Sequence, residues 1–151
     1  MTEFRRAYSY DLDRLYEIEC ASFTPEIRNA KKEIQAGIIK NEIYVITECD
    51  EVDYNVVVGS IWLMRKKKTC YIESVAVDDR YRNSGRGKEL IENALTLLKE
   101  DGIIEVSLYV DMLAKDTIEM YKKLGFVKCD FVNDFYGKHK HAYFMEKRQL
   151  V

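Results

Sequence analysis

Residues 82–88 read RNSGRGK and stand between an apolar alternating run, Cys70–Val77, and a helix-patterned run, Leu90–Leu98. Gly85 and Gly87 take away the side chains that would keep a bulky diphosphate off the backbone. The helix start that follows leaves N–H groups without internal partners, so Asn83, Ser84, Gly85, Arg86, Gly87 and Lys88 offer a run of main-chain donors to an anion. Arg82, Arg86 and Lys88 add positive charge there, where a charge-assisted hydrogen bond contributes about 1.5–3 kcal/mol. Taken alone, such a segment also reads as a strand-to-helix turn with solvated basic side chains. The neighbouring elements decide between the two.

The chain has 151 residues, 47% hydrophobic and 33% charged, with a formal charge of −2. That size suffices for one domain with a sizeable core, here expected over 1–151. Balanced charge argues against a general nucleic-acid binder and makes any attraction to phosphate local. The charged N-terminus and the lack of any long apolar stretch predict no membrane span and a cytoplasmic location. Cys20, Cys49, Cys70 and Cys129 form no CxxC pair, which predicts buried reduced thiols rather than a zinc or redox site. His139 and His141 are expected on one face of a strand at the surface, with no third ligand and so no metal.

Periodicity places the elements. A strand near Glu3–Ala7 precedes a helix Asp11–Phe23 with Leu12, Leu15 and Ile18 in step. Pro25 interrupts, and a second helix is expected over Glu26–Ile38, closed near Gly37. Strands follow at Glu42–Cys49 and Asn55–Met64, a hairpin about a polar turn at Asp50–Asp53, and then Thr69–Val77 beyond the basic tip Arg65–Lys68. An amphipathic helix Gly87–Glu100, a strand Ile103–Val110, a helix Ala114–Leu124 stopped at Gly125, and strands Phe126–Val132 and Ala142–Lys147 complete the chain. The order β-α-α-β-β-β-α-β-α-β-β predicts an α/β (α+β) protein. Its mixed sheet should have about seven strands flanked by four helices, with the middle strand-helix-strand parallel.

That order, with VAVDDRYR running into NSGRGKELI, resembles the GCN5-related N-acetyltransferase (GNAT) superfamily. The superfamily signature is Gln or Arg, two residues, Gly, one residue, then Gly or Ala, and Arg82, Gly85 and Gly87 match it. The segment LYVDMLAKDTIEMYKKLGF, the early IECASFTPE and the final DFYGKHKHAYFMEK resemble the ribosomal-protein-alanine and archaeal N-terminal acetyltransferases. Two positions depart from those relatives: Ala114 replaces an asparagine that contacts the cofactor, and Tyr109 stands where bacterial relatives carry a glutamate base.

The resemblance implies acetyl-CoA as cosubstrate, its diphosphate on the Arg82–Lys88 segment and its pantetheine arm beside Val75, Ala76 and Val77. Tyr121 matches the tyrosine that gives a proton to the departing sulfur, a task suited to a phenol with pKa near 10. Glu73 is the one carboxylate in its strand and the favoured base, with Tyr71, Tyr109, Glu26 and water as rivals. Phe23, Glu26 and Tyr136, beside Phe135, are expected at the acceptor groove. The implied acceptor is a protein or peptide N-terminus, and a homodimer is compatible with the pattern. An α-amine of pKa about 7.7–8.0 is roughly one-tenth neutral at pH 7, so it tolerates a weak base better than lysine does. Two alternatives stay open: a small-amine acetyltransferase using carboxylates such as Glu17, Glu19, Glu26 and Glu33, and a non-catalytic acetyl-CoA-binding protein of the same fold.

Overall fold

The computed structural model describes residues 2–49 and 55–149; the turn expected at Asp50–Asp53 lies outside them. In chain order the elements are β1 (Thr2–Arg6), α1 (Leu12–Ser22), α2 (Lys31–Ile39), β2 (Ile43–Glu48), β3 (Val56–Lys66), β4 (Thr69–Val77), α3 (Arg86–Glu100), β5 (Glu105–Asp111), α4 (Lys115–Lys123), β6 (Val127–Val132) and β7 (Ala142–Arg148). Short 3-10 turns at Ser9–Asp11 and Asp79–Tyr81 precede α1 and the glycine segment. The strands form one seven-stranded sheet in the order β1-β2-β3-β4-β5-β7-β6. It is mixed: β4 and β5 are parallel, whereas β1·β2, β2·β3, β5·β7 and β6·β7 are antiparallel. The expected element order therefore holds.

The chain divides into two compact units, one from the N-terminal part through Leu63 together with Ser74–Ala94, the other from Met64–Glu73 and from Leu95 onward. In the first unit, Leu15 and Ile18 of α1 and Ile34 and Ile38 of α2 keep helical spacing. They pack with Ile43, Val45, Val57 and Ala76 into one core. Gly37 belongs to this core rather than to a helix end. A Cβ on it would lie 2.8 Å from Trp62 Cζ2 and 2.9 Å from Ile43 Cδ1, so α2 runs past it to Ile39. The chain then turns out at Asn41, whose φ is 59°.

The second helix also starts five residues later than its expected first residue, Glu26. The amides of Ile27 and Arg28 both donate to the Thr24 carbonyl, making a separate turn after Pro25. The buried Glu19 carboxylate takes the Asn29 N–H at 2.9 Å, and Glu33 takes the Ala30 N–H at 3.0 Å. These bonds hold Ala30 extended, φ −71° and ψ 153°, so helical geometry can begin only at Lys31.

In the second unit, Val106, Leu108 and Val110 alternate inward along β5 and Met145 pairs with Leu108 from β7. Ile103 and Ile104 lie before β5 rather than in it, their amides bonded to Leu98 and Lys68. Gly125 ends α4 with φ at 100°, a value that favours glycine. All four cysteines are thiols. The expectation of burial holds for Cys70, at 1% exposure, whereas Cys20 is half-buried and Cys49 and Cys129 are exposed. His139 and His141 sit in the loop before β7, not in a strand.

Candidate active site

The glycine segment is shaped from both ends. Asp78, just after β4, accepts the Arg80 N–H at 2.8 Å and so starts the Asp79–Tyr81 turn. Arg80 and Arg14 also bond its carboxylate. The Arg80 hydrogen bond first, then Arg14, hold the Asp78 carboxyl far below the usual carboxylate range against the opposing effect of burial. After that turn, Ser84 donates its hydroxyl to the Tyr81 carbonyl. Asn83 and Gly85 are both left-handed, with φ 60° and 81°. Left-handed residues in such a turn can aim neighbouring N–H groups toward an anion.

α3 begins at Arg86, and its first turn closes with the Glu89 amide on the Gly85 carbonyl at 3.0 Å. The amides of Arg86, Gly87 and Lys88 precede that bond and have no carbonyl behind them in the helix. A Cβ on Gly85 would meet nothing within 4 Å, and one on Gly87 would make ordinary contact with Val77 Cγ2 at 3.7 Å. The protein itself thus has room at both glycines. Only the φ of Gly85 demands the residue for backbone reasons.

The expected cluster of cations is corrected. Arg86 forms a two-point pair with Glu48, Nε to Oε2 at 2.9 Å and Nη2 to Oε1 at 2.5 Å. Arg82 folds back, donating from Nε to the Val77 carbonyl at 3.0 Å and from Nη2 to Ser22 Oγ at 3.1 Å, and it pairs with Asp79. Lys88 is exposed and makes no ion pair or hydrogen bond among the described residues. Main-chain N–H groups, more than side-chain charge, therefore make the cradle. Val75 and Val77 are half-buried, and Ala76, at 4% exposure, is the core member of that trio. Phe23 packs on the first unit's core, and Glu26 is exposed in the turn after Pro25.

The second unit brings its site residues to one sheet face. Tyr71 and Glu73 on β4, and Tyr109 and Asp111 on β5, each stand two residues apart, and the Tyr71 and Tyr109 rings meet edge-on at 6.0 Å. Phe144, opposite Tyr109 in the β5·β7 register, adds its ring at 4.9 Å. Phe135 stacks on Tyr109 at 4.2 Å and touches Tyr136 at 4.8 Å. The loop carrying them is self-braced: Tyr136 donates its amide to Lys140, His139 to the Asp134 carboxylate, and Asp134 to His141 Nδ1. Tyr109, a rival for the base, is thus a stacked ring within an aromatic cluster.

Tyr121, on α4, is 6% exposed, packs edge-on against Phe126, and makes no hydrogen bond through its hydroxyl among the described residues. Burial pushes its phenol well above the ordinary value. Burial likewise raises Tyr71 to about 12, with Glu73 and then Tyr109 adding to it. Tyr136 is raised first by burial and then by Tyr71, Asp111, Tyr121 and Glu73. Sequence reasoning missed Asp111, whose Oδ1 accepts the Leu113 N–H at 2.9 Å. Period-two spacing from Tyr109 is the signal that could have found it. It also missed Glu48, which only the fold brings to Arg86.

A mixed sheet whose strand β4 leads into a glycine-bearing turn at the start of α3 defines an α/β fold. Residues 12–126 match the Acetyltransferase (GNAT) family, and the chain belongs to that family. It is 36% identical over 58 residues to N-alpha-acetyltransferase 30 of Homo sapiens; the match covers 38% of this chain and 16% of that protein, so the chain spans about a sixth of that relative's length. Among solved structures, Ard1 of Thermoplasma volcanium superposes with a TM-score of 0.87 at 26% identity, covering 99% of each chain. The NatC complex bound to Gag peptide and CoA superposes with a TM-score of 0.86 at 14% identity, also covering 99% of each, and at that identity it supports the fold alone.

Proposed function

We propose that the protein is an acetyl-CoA-dependent N-acetyltransferase that acts by direct transfer on the N-terminal α-amine of a protein or peptide. The observation that carries this reading is the Asn83–Lys88 cradle. Two left-handed residues and three unclaimed helix-start amides lie together there, beside Gly87, where the fold alone leaves room for a side chain. Family membership and the N-alpha-acetyltransferase relative support the reaction and the acceptor class.

Bound acetyl-CoA supplies a thioester whose acyl carbon an amine can attack. The N–H groups of Asn83, Ser84, Gly85, Arg86, Gly87 and Lys88 hold the diphosphate, helped by the helix macrodipole of about half a positive charge. Arg82 occupies the Val77 carbonyl, so the pantetheine arm runs beside Val75, Ala76 and Val77 without that acceptor. Tyr121, its pKa raised by burial, stays protonated at physiological pH and gives its proton to the departing sulfur. Tyr71, raised to about 12, is a poor base at neutral pH, which favours Glu73 as the carboxylate that takes the amine proton. Tyr136 and Phe135 wall the acceptor. A single domain over 1–151, a cytoplasmic location and a homodimer are parts of the same proposal.

The small-amine alternative loses most of its anchors, since Glu17 pairs with Arg14, Glu19 binds Asn29 and Glu33 caps Ala30. Coenzyme A release measured with short peptides, spermidine and free amino acids tests the proposal. Peptides should give the highest kcat/KM. Turnover of spermidine alone would overturn the acceptor assignment, and saturable acetyl-CoA binding with no turnover of any amine would overturn the enzyme.

A further inference from the structure

The chain between α1 and α2 is held at both ends and exposed in the middle. Thr24, Pro25, Glu26 and Ile27 all face solvent, whereas Phe23, Arg28, Asn29 and Ala30 are half-buried. The anchor at the far end is Glu19, a carboxylate on α1 with 6% exposure. Its Oε2 accepts the Asn29 N–H at 2.9 Å and lies 3.5 Å from Asn29 Nδ2. Arg28 closes the near end, donating from Nε to the Phe23 carbonyl and from Nη1 to Cys20 Sγ, both at 3.3 Å. Stability does not call for an acid at residue 19. Burial disfavours its charged form, and a glutamine would accept the same N–H without that cost. A carboxylate makes the stronger bond and so the stiffer anchor. What it fixes is an exposed tip whose Pro25, Glu26 and Ile27 lie outside the first unit's core.

Building on the acceptor reading above, in which Phe23 and Glu26 meet the peptide, we infer that Glu19 is a positioning residue for the acceptor. Through Asn29 it holds residues 23–30 in the shape that receives the peptide. Glu19 itself touches no reacting atom. A loop that must be ordered at the moment of binding subtracts that ordering from affinity, so a pre-set loop binds more tightly. Loss of the anchor therefore weakens the peptide and leaves coenzyme A binding and the chemical step alone.

Three variants of the full chain separate this role from a merely structural one. Glu19→Ala removes the anchor, Arg28→Met removes the near clasp, and Glu19→Gln keeps an acceptor for the Asn29 N–H. Each is read by amide exchange of residues 23–30, by anisotropy of a labelled octapeptide in saturating coenzyme A, and by steady-state kinetics. Glu19→Ala should speed exchange across the loop and raise the peptide dissociation constant and KM about tenfold, and Arg28→Met about threefold, with kcat and the acetyl-CoA KM within about twofold of wild type. Glu19→Gln should stay within about twofold of wild type in every readout. Arg28→Met, at a half-buried position, keeps the test decisive where Glu19→Ala fails to fold. Faster loop exchange with peptide affinity unchanged overturns the inference. An equal loss of affinity for peptide and acetyl-CoA, the mark of general destabilisation, also overturns it. Peptide affinities in the expected order without turnover overturn acetyl transfer and leave the positioning role standing. No peptide binding to the wild-type protein overturns both.

Discussion

Arg86 and Glu48, 38 positions apart in the chain, meet in a two-point pair that takes the most obvious phosphate-binding arginine out of the cradle. The pair lowers the Glu48 pKa, chiefly through its hydrogen bond to Arg86. In the proposed mode, diphosphate binding then falls to main-chain donors.

Breaking that pair should therefore help the ligand. Glu48→Gln frees the guanidinium, and calorimetry should show coenzyme A binding several-fold tighter and more salt-sensitive. Folding stability should fall by less than about 1 kcal/mol, since the pair is only part-buried. Unchanged or weaker binding would mean that Arg86 does not reach the ligand even when released.

The two glycines should separate strain from ligand contact. Gly85→Ala forces a Cβ onto a φ of 81° and should cost about 1–2 kcal/mol in urea denaturation as well as weakening coenzyme A. Gly87→Ala meets only an ordinary contact at 3.7 Å, so denaturation should be near wild type while coenzyme A affinity drops. Loss of stability in Gly87→Ala with affinity intact would reverse these roles.

Two carboxylates, part-buried Asp78 and buried Glu19, should give opposite pH responses. Asp78 has a depressed folded pKa, so its contribution is present above the ordinary carboxylate value and is lost as pH falls below about 4. Asp78→Asn should destabilise at pH 7 and flatten the acid limb of a melting-temperature profile. Glu19, at 6% exposure, has a folded pKa raised by burial despite its bonds to Asn29. Its contribution is fullest below the unfolded value and declines as pH rises through the folded one. Glu19→Gln, which keeps an acceptor for the Asn29 amide, should raise the melting temperature at pH 7 and have little effect at pH 4.

Much of this was legible in the residues themselves. Alternation placed β4 at Thr69–Val77 with both ends correct, because Cys70, Ile72 and Ala76 alternate inward along a strand whose other face is less buried. The ends of α2 were not legible. Its start depends on Glu19, eleven positions upstream of Ala30, reaching Asn29, and its passage through Gly37 depends on a tryptophan packed there from β3. Local propensity contains neither fact. For the site, the glycine spacing disclosed the cradle, but three basic residues in seven could not disclose that Glu48 and Asp79 neutralise two of them. Asp111 escaped because sharing a face with Tyr71 and Phe144 depends on how three strands align.

Tyr121→Phe should lower kcat by about 10²–10⁴-fold, the range of positioned acid catalysis. It should change the acetyl-CoA dissociation constant less than about threefold and leave stability nearly untouched, because among the described residues the hydroxyl bonds no protein group. Steady-state kinetics beside calorimetry separates the effects. A parallel fall in affinity would assign the phenol to binding instead.

Main-chain amides at residues 83–88 should grip a diphosphate. Isothermal titration of the wild-type protein with coenzyme A and, separately, with pantetheine, which lacks the diphosphate, tests that most directly. Saturable heat with coenzyme A, little with pantetheine, and loss of the coenzyme A signal in a folded Gly85→Val variant are the predicted results. Equal heats for the two compounds, or coenzyme A binding undiminished in Gly85→Val, would contradict it.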